Sequence, residues 1–271
     1  GFFMIEFTAT FLTAFSGISL GLLISALVAE GKTAVNIIPV VLIPQIILGG
    51  ALIKYEEMNR NLDFIYSIQQ WFHQHPDSAM EPRSDLQVPL ICEFMPMRWS
   101  YEALVYAQAK LNPLTVRQAK IQRQINQVAA IKNPTEAELN RLDDLKELLA
   151  ILSGLEAKTA DDLDYRLSLI DRVINGAPLD RQQIVNHTGT VTAEQLYTNQ
   201  KIIDLVSKAE MEQADYRDKI HPNVFFGPIK YYWGITFNIL AFNIGVLLLS
   251  TGGIFLLLYL ILRRQIKIRM E

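Results

Sequence analysis

The chain has 271 residues, half of them hydrophobic, and 25 Lys and Arg stand against 28 Asp and Glu for a formal net charge of -3. That balance leaves no basic footprint for nucleic acid. The single cysteine, Cys92, excludes an internal disulfide and any multi-cysteine metal site.

The hydrophobicity is gathered into three runs free of charged residues, Phe7 to Ala29, Thr33 to Ile53 and Tyr231 to Leu262. Each reaches the roughly 20 residues needed to cross a hydrocarbon core of about 30 Å. Before the first run, Gly1 to Glu6 shows no basic region with a cleavage site, so it does not read as a signal peptide. The sequence reads as an excerpt from a longer protein. Glu6 falls at the outer end of the first span, where a carboxylate reaches water. Ser16, Gly17, Ser19, Gly21 and Ser25 give that span small residues that let another helix approach closely. A short turn, "AEGKT", with Glu30 and Lys32, leads to the second span.

The second span carries Pro39 and Pro44 inside its apolar run. A proline inside a helix removes a hydrogen bond and clashes with the preceding turn, at about 3 kcal/mol. In lipid the freed carbonyls must find other partners, so such a helix belongs in a bundle or along a cavity.

From Lys54 to Lys230 the composition turns mixed. "HQHPD" offers His73, His75 and Asp77, but a two-histidine loop without a third fixed ligand reads as solvated. Ile121, Ile125, Val128 and Ile131 form a short helical stripe that ends at "KNP". Thr135 stands three residues before Glu138, the spacing of a capping box, and opens a helix with Leu139, Leu142, Leu145, Leu149 and Leu152 on one face. These two helices are expected to pair as an antiparallel hairpin. A further helix is expected over "DDLDYRLSLIDRVING", stopped by Gly176 and Pro178, and another after Thr192. Asn186 begins "NHT", a glycosylation triplet common by chance.

The last run opens with "YYWGITFN", whose Tyr231, Tyr232 and Trp233 suit the headgroup region. It is followed by "RRQIKIRME", where Arg263, Arg264, Lys267 and Arg269 mark a cytosolic end by the positive-inside rule. Counting back through the spans puts residues 54–230 outside and the "AEGKT" turn inside, in a plasma or inner membrane. No nucleotide loop or H-E-x-x-H is present, and the spans hold no paired carboxylates or nucleophile with a base. No residue is expected to be catalytic, and no metal or cofactor site is expected in this segment.

"SGISLGLLISALVAEGKTAVNIIPVVLIPQIILGGALI", then "MPMRWSYEALVYAQ", then a final span with a basic tail, resembles the second half of the permease in G-type ABC transporters, the type 2 exporter fold. Pro96 to Leu104 fits that family's P-x-[RK]-[WY]-x-x-[EQ]-[AS]-[LI] segment, and the likeness covers roughly half of the chain. The resemblance implies an all-α fold: two spans over 1–53, an external loop with a re-entrant amphipathic helix over 54–110, and a final span with its tail over 223–271. It gives no counterpart to 111–222, which reads as a helical, partly coiled-coil external insertion.

What the resemblance implies for function is an ATP-driven exporter of a lipophilic or amphiphilic substrate. Pro39, Pro44 and Gln45 would line the path, and Leu52 and Ile53 would form its outer constriction. Arg98, Trp99, Tyr101 and Glu102 would belong to the external amphipathic helix, and Glu30 and Lys32 to a cytosolic coupling turn. The partners implied are a nucleotide-binding domain holding ATP and Mg, a second permease protomer, and the bilayer. The alternative is a non-transporting membrane protein whose external helices bind a partner and signal through the spans.

Overall fold

A computed structural model describes residues 2–28, 31–50, 88, 90–185, 191–193, 197, 199–215, 224–232 and 235–270. Glu30, Leu52, Ile53, His73, His75, Asp77, Asn186 and Trp233 lie outside the described residues.

Among the described residues three helices are long and apolar enough to cross a membrane: α1 (Phe2–Leu27), α2 (Gly31–Leu48) and α10 (Ile239–Met270). α2 continues as one helix through both prolines. The last span begins at Ile239, after the "YYWGITFN" stretch that opens the charge-free run. The residues before it form an antiparallel hairpin, β3 (Ile229–Tyr232) with β4 (Ile235–Asn238), in which Tyr232 pairs with Ile235. Tyr, Ile, Thr and Phe favour the pleated chain. Asn238 then starts the helix, its Oδ1 accepting from the backbone N–H of Leu240 at 3.0 Å.

The chain divides into two compact units whose boundaries fall inside α4 (Pro96–Lys110) and α9 (Gln200–Asp215). The first unit takes Phe3–Ala107 and Leu205–Glu271 and holds all three spans, the short helix α3 (Leu90–Glu93), the start of α4 and the β3–β4 hairpin. Within it Leu12 of α1, Trp99 of α4 and Leu247 of α10 are buried together, with Tyr232 and Phe242 against them. The Thr13 and Ser100 hydroxyls lie 2.6 Å apart. At the other end of the same spans, Gln265 Nε2 donates to the Ala26 carbonyl at 2.7 Å. α1 and α10 therefore run parallel, and the C-terminal end of α1 shares a side with the basic end of α10. α2 buries only Ala34 along its length, against five residues in α1.

The second unit, Gln108–Asp204, has its own hydrophobic core. α5 (Pro113–Ala129) starts at Asn112, whose side chain accepts from the Thr115 N–H, with Pro113 at the first helical position. α6 (Glu136–Ser153) starts with both halves of the capping box: Thr135 Oγ1 accepts from the Glu138 N–H, and Glu138 Oε2 accepts from the Thr135 N–H at 2.7 Å. Its core stripe is Leu145, Leu148 and Leu152; Leu139, placed on that face by the sequence, is 47% exposed. Steps of three and four residues from Leu145 give a narrower seam than the sequence pattern implied. α7 (Ala160–Ile174) packs on both helices through Leu163, Leu167 and Ile170, and Gly176 with φ +108 turns the chain after it. α8 (Arg181–Val185) and a two-residue pairing of β1 (Glu156–Ala157) with β2 (Val191–Thr192) complete the unit, so strand content is small but present.

Candidate functional site

The first unit buries four charged side chains in one place, where α3, α4, β3 and the head of α10 meet. Arg98, Glu102 and Lys230 have no exposed side-chain surface, and Glu93 keeps 16%. Isolated charges in such a setting cost several kcal/mol each, so they survive only in mutual pairing. Arg98 Nη1 donates to Glu93 Oε2 at 2.8 Å, and its Nη2 lies 3.6 Å from Glu102 Oε2. Lys230 Nζ donates to Glu102 Oε1 and, at 2.8 Å, to the Val224 carbonyl.

Glu102 is the hub. Besides the Lys230 bond and the ion pair with Arg98, it accepts from the Phe226 backbone N–H at 2.8 Å and from Asn243 Nδ2 at 3.1 Å. Phe226 holds φ 62, the left-handed region where a non-glycine residue is strained by about 1 to 2 kcal/mol. That conformation aims its N–H at the carboxylate. Burial opposes the charge on Glu102, but Lys230 and Arg98 outweigh it and hold its carboxyl below the usual carboxylate range. For Lys230 the loss of water dominates and lowers its pKa, with Glu102 pulling back.

Aromatic rings enclose the charges. The Arg98 guanidinium lies 3.7 Å from the centre of the Trp99 ring, a cation–π contact worth about 0.5 to 2 kcal/mol. Trp99 Nε1 donates to the Glu93 carbonyl at 2.9 Å, and its ring meets Phe242 edge-on at 5.5 Å. Tyr232, stacked on Phe242, donates its hydroxyl to Glu93 Oε2 at 2.8 Å. Burial, with Glu93 beside it, pushes that phenol well above its ordinary value. The cluster thus fastens α4 to the β3–β4 hairpin and to the first turns of a span.

Of the residues singled out from sequence, the structure brings Arg98, Trp99 and Glu102 together here, with Tyr101 half-buried and its ring 5.8 Å from Phe226. Pro39 and Pro44 stand exposed on α2, Gln45 is half-buried and Lys32 is exposed at the start of that helix. α2 approaches the site through Gly49, where an added Cβ would come within 3.2 Å of Met97 Cγ. The sequence reading missed Glu93, Lys230, Tyr232 and Asn243 as partners. The one signal for them was a lysine abutting, and an asparagine within, an otherwise apolar run. Among the described residues no group of three His, Cys, Asp or Glu side chains is placed to hold a metal ion.

Neither a curated protein nor a solved structure gives a match to the chain. The chain is an integral membrane protein whose residues 1–71 match the family model of the ABC-2 type transporter.

Proposed function

We propose that this chain is the permease portion of an ATP-driven exporter of the G type, acting as a dimer with a nucleotide-binding domain that supplies ATP and Mg. The observation that carries the reading is the family match over α1 and α2, the helices that hold the small-residue stripe and the two prolines. ABC-2 membrane domains work with nucleotide-binding partners and form dimers, and the exposure of α2 along nearly its whole length leaves a span free to face a second protomer. Its apolar surface suits a lipophilic or amphiphilic substrate. The chain itself performs no chemistry in this reading.

The orientation proposed is an external segment over 54–230 and a cytosolic tail in the plasma or inner membrane. Lys32, exposed at the start of α2, would be available to the cytosolic partner. Transport requires two conformations that differ in substrate affinity. The buried charge cluster would keep α4 and the hairpin moving as one piece with the head of α10.

The test is export and ATP hydrolysis by the complete transporter in reconstituted vesicles. Pro44→Ala restores a helix donor inside α2, and the expected outcome is a lower transport rate per ATP hydrolysed with dimerisation unchanged. Unaltered transport and hydrolysis would remove α2 from the path, and the absence of any ATP-dependent export would remove the exporter reading.

A further inference from the structure

The second unit holds a cavity of about 440 Å³, a volume typical of small-molecule sites, where the last turn of α6 meets β1, α7 and α8. Its walls are of two kinds. Ile151, Leu155 and Ile184 give it an apolar side, while Glu147, Glu156, Arg166 and Arg181 bring two negative and two positive charges. Arg181 and Glu147 pair with each other at 3.2 Å, both partly in water. Arg166 is different, because only 4% of its side chain is exposed. Its Nε donates to Asp162 Oδ1 at 3.1 Å and its Nη1 to the Ile184 carbonyl at 2.8 Å, but its Nη2 donates to no described residue. The Nη1 bond already ties α7 to α8, so the fold makes no use of Nη2. A buried donor without an acceptor is costly, and a carboxylate is the acceptor that a guanidinium binds most strongly.

A carboxylate alone would fit poorly. Glu147 and Glu156 offset the two arginines, and Ala150 and Ile151 bring to the cavity the last turn of α6, the negative end of that helix's dipole. A ligand that satisfies both sides carries one negative and one positive group. We propose that this cavity binds a zwitterionic amino acid with an apolar side chain. Its carboxylate accepts from Arg166 Nη2, its ammonium faces Glu156 and the end of α6, and its side chain rests on Ile151, Leu155 and Ile184. All of these residues belong to the second unit, and the inference does not rest on the exporter reading.

The experiment is equilibrium binding of radiolabelled L-leucine and L-phenylalanine to the full chain in lipid nanodiscs without ATP. Saturable binding of one molecule per chain is expected for at least one of the two. The amino-acid amide, which lacks the carboxylate, and the N-acetyl derivative, which lacks the ammonium, should each compete about tenfold more weakly or worse, since each leaves charged groups of the cavity unmatched. Val185 is exposed at the cavity wall, so Val185→Trp fills the space from outside the core and should abolish binding with the thermal unfolding midpoint unchanged. Arg166→Lys keeps the charge, removes the planar fork and should weaken binding about tenfold or more. Absence of saturable binding of both amino acids overturns the proposal, as does an amide that competes equally well or binding that survives Val185→Trp. If Arg166→Lys does not fold, the amide and Val185→Trp decide. Neither transport nor ATP hydrolysis enters the assay, so failure here and failure of the exporter reading are separate results.

Discussion

Lys230 and Glu102 form a pair with no exposed surface on either side chain, and each would be costly alone. Replacing Lys230 by Met leaves Glu102 with Arg98, Asn243 and the Phe226 N–H but one buried cation short. The loss expected is about 3 to 5 kcal/mol, the range for removing one partner of a buried pair. Lys230→Met with Glu102→Gln should be less damaging than Lys230→Met alone, because the stranded charge is gone as well. Thermal unfolding of the full chain in nanodiscs measures both, and a double variant that is the worse of the two would mean the residues do not act as a pair. Arg98 and Glu102 were legible as members of one helical motif, since they stand four residues apart. Lys230 was not, because 128 residues separate it from Glu102 and nothing local in the chain announces the contact.

α5 and α6 show what local chemistry can and cannot fix. The start of α6 was readable to the residue, because a capping box satisfies its donors with side chains three positions apart and needs no tertiary partner. The end of α7 was readable for the same reason, with Gly176 at positive φ. Which leucines of α6 are buried was only partly readable. Several face roughly inward, and the choice falls to neighbours: α7 and Leu155 cover Leu145, Leu148 and Leu152 and leave Leu139 in water. Leu148→Ala should therefore cost about 2 to 5 kcal/mol and Leu139→Ala within about 0.5 kcal/mol of nothing. Limited proteolysis and thermal unfolding of the full chain rank the two, and equal losses would contradict the core. The β3–β4 hairpin escaped the sequence reading, which sets "YYWGITFN" at the headgroup region without giving it a fold. Apolar residues serve a short sheet and a lipid-facing helix equally well, and only the break before Asn238 separates them.

For the molecule as a whole, the three spans were fully visible, since charge-free length alone identifies them. Their sidedness rests on the basic tail. In a background lacking Cys92, a cysteine at Ser153 should react with an impermeant thiol reagent applied to intact cells, and one at Ile266 should not. Both positions are exposed on helices, so burial does not decide the outcome. Reaction at Ile266 alone would invert the arrangement. The length of α10 has a mechanical consequence. It runs 32 residues without interruption, about 48 Å at 1.5 Å per residue, some 18 Å more than the hydrocarbon it crosses. Its helical backbone runs unbroken from the basic end to the head, with Gly252 and Gly253 midway as the turn most open to bending. Asn243, in the second turn of that head, grips Glu102. The tail and the buried charges are thus joined by one continuous helix, and any shift of its head is felt first at Glu102 of α4.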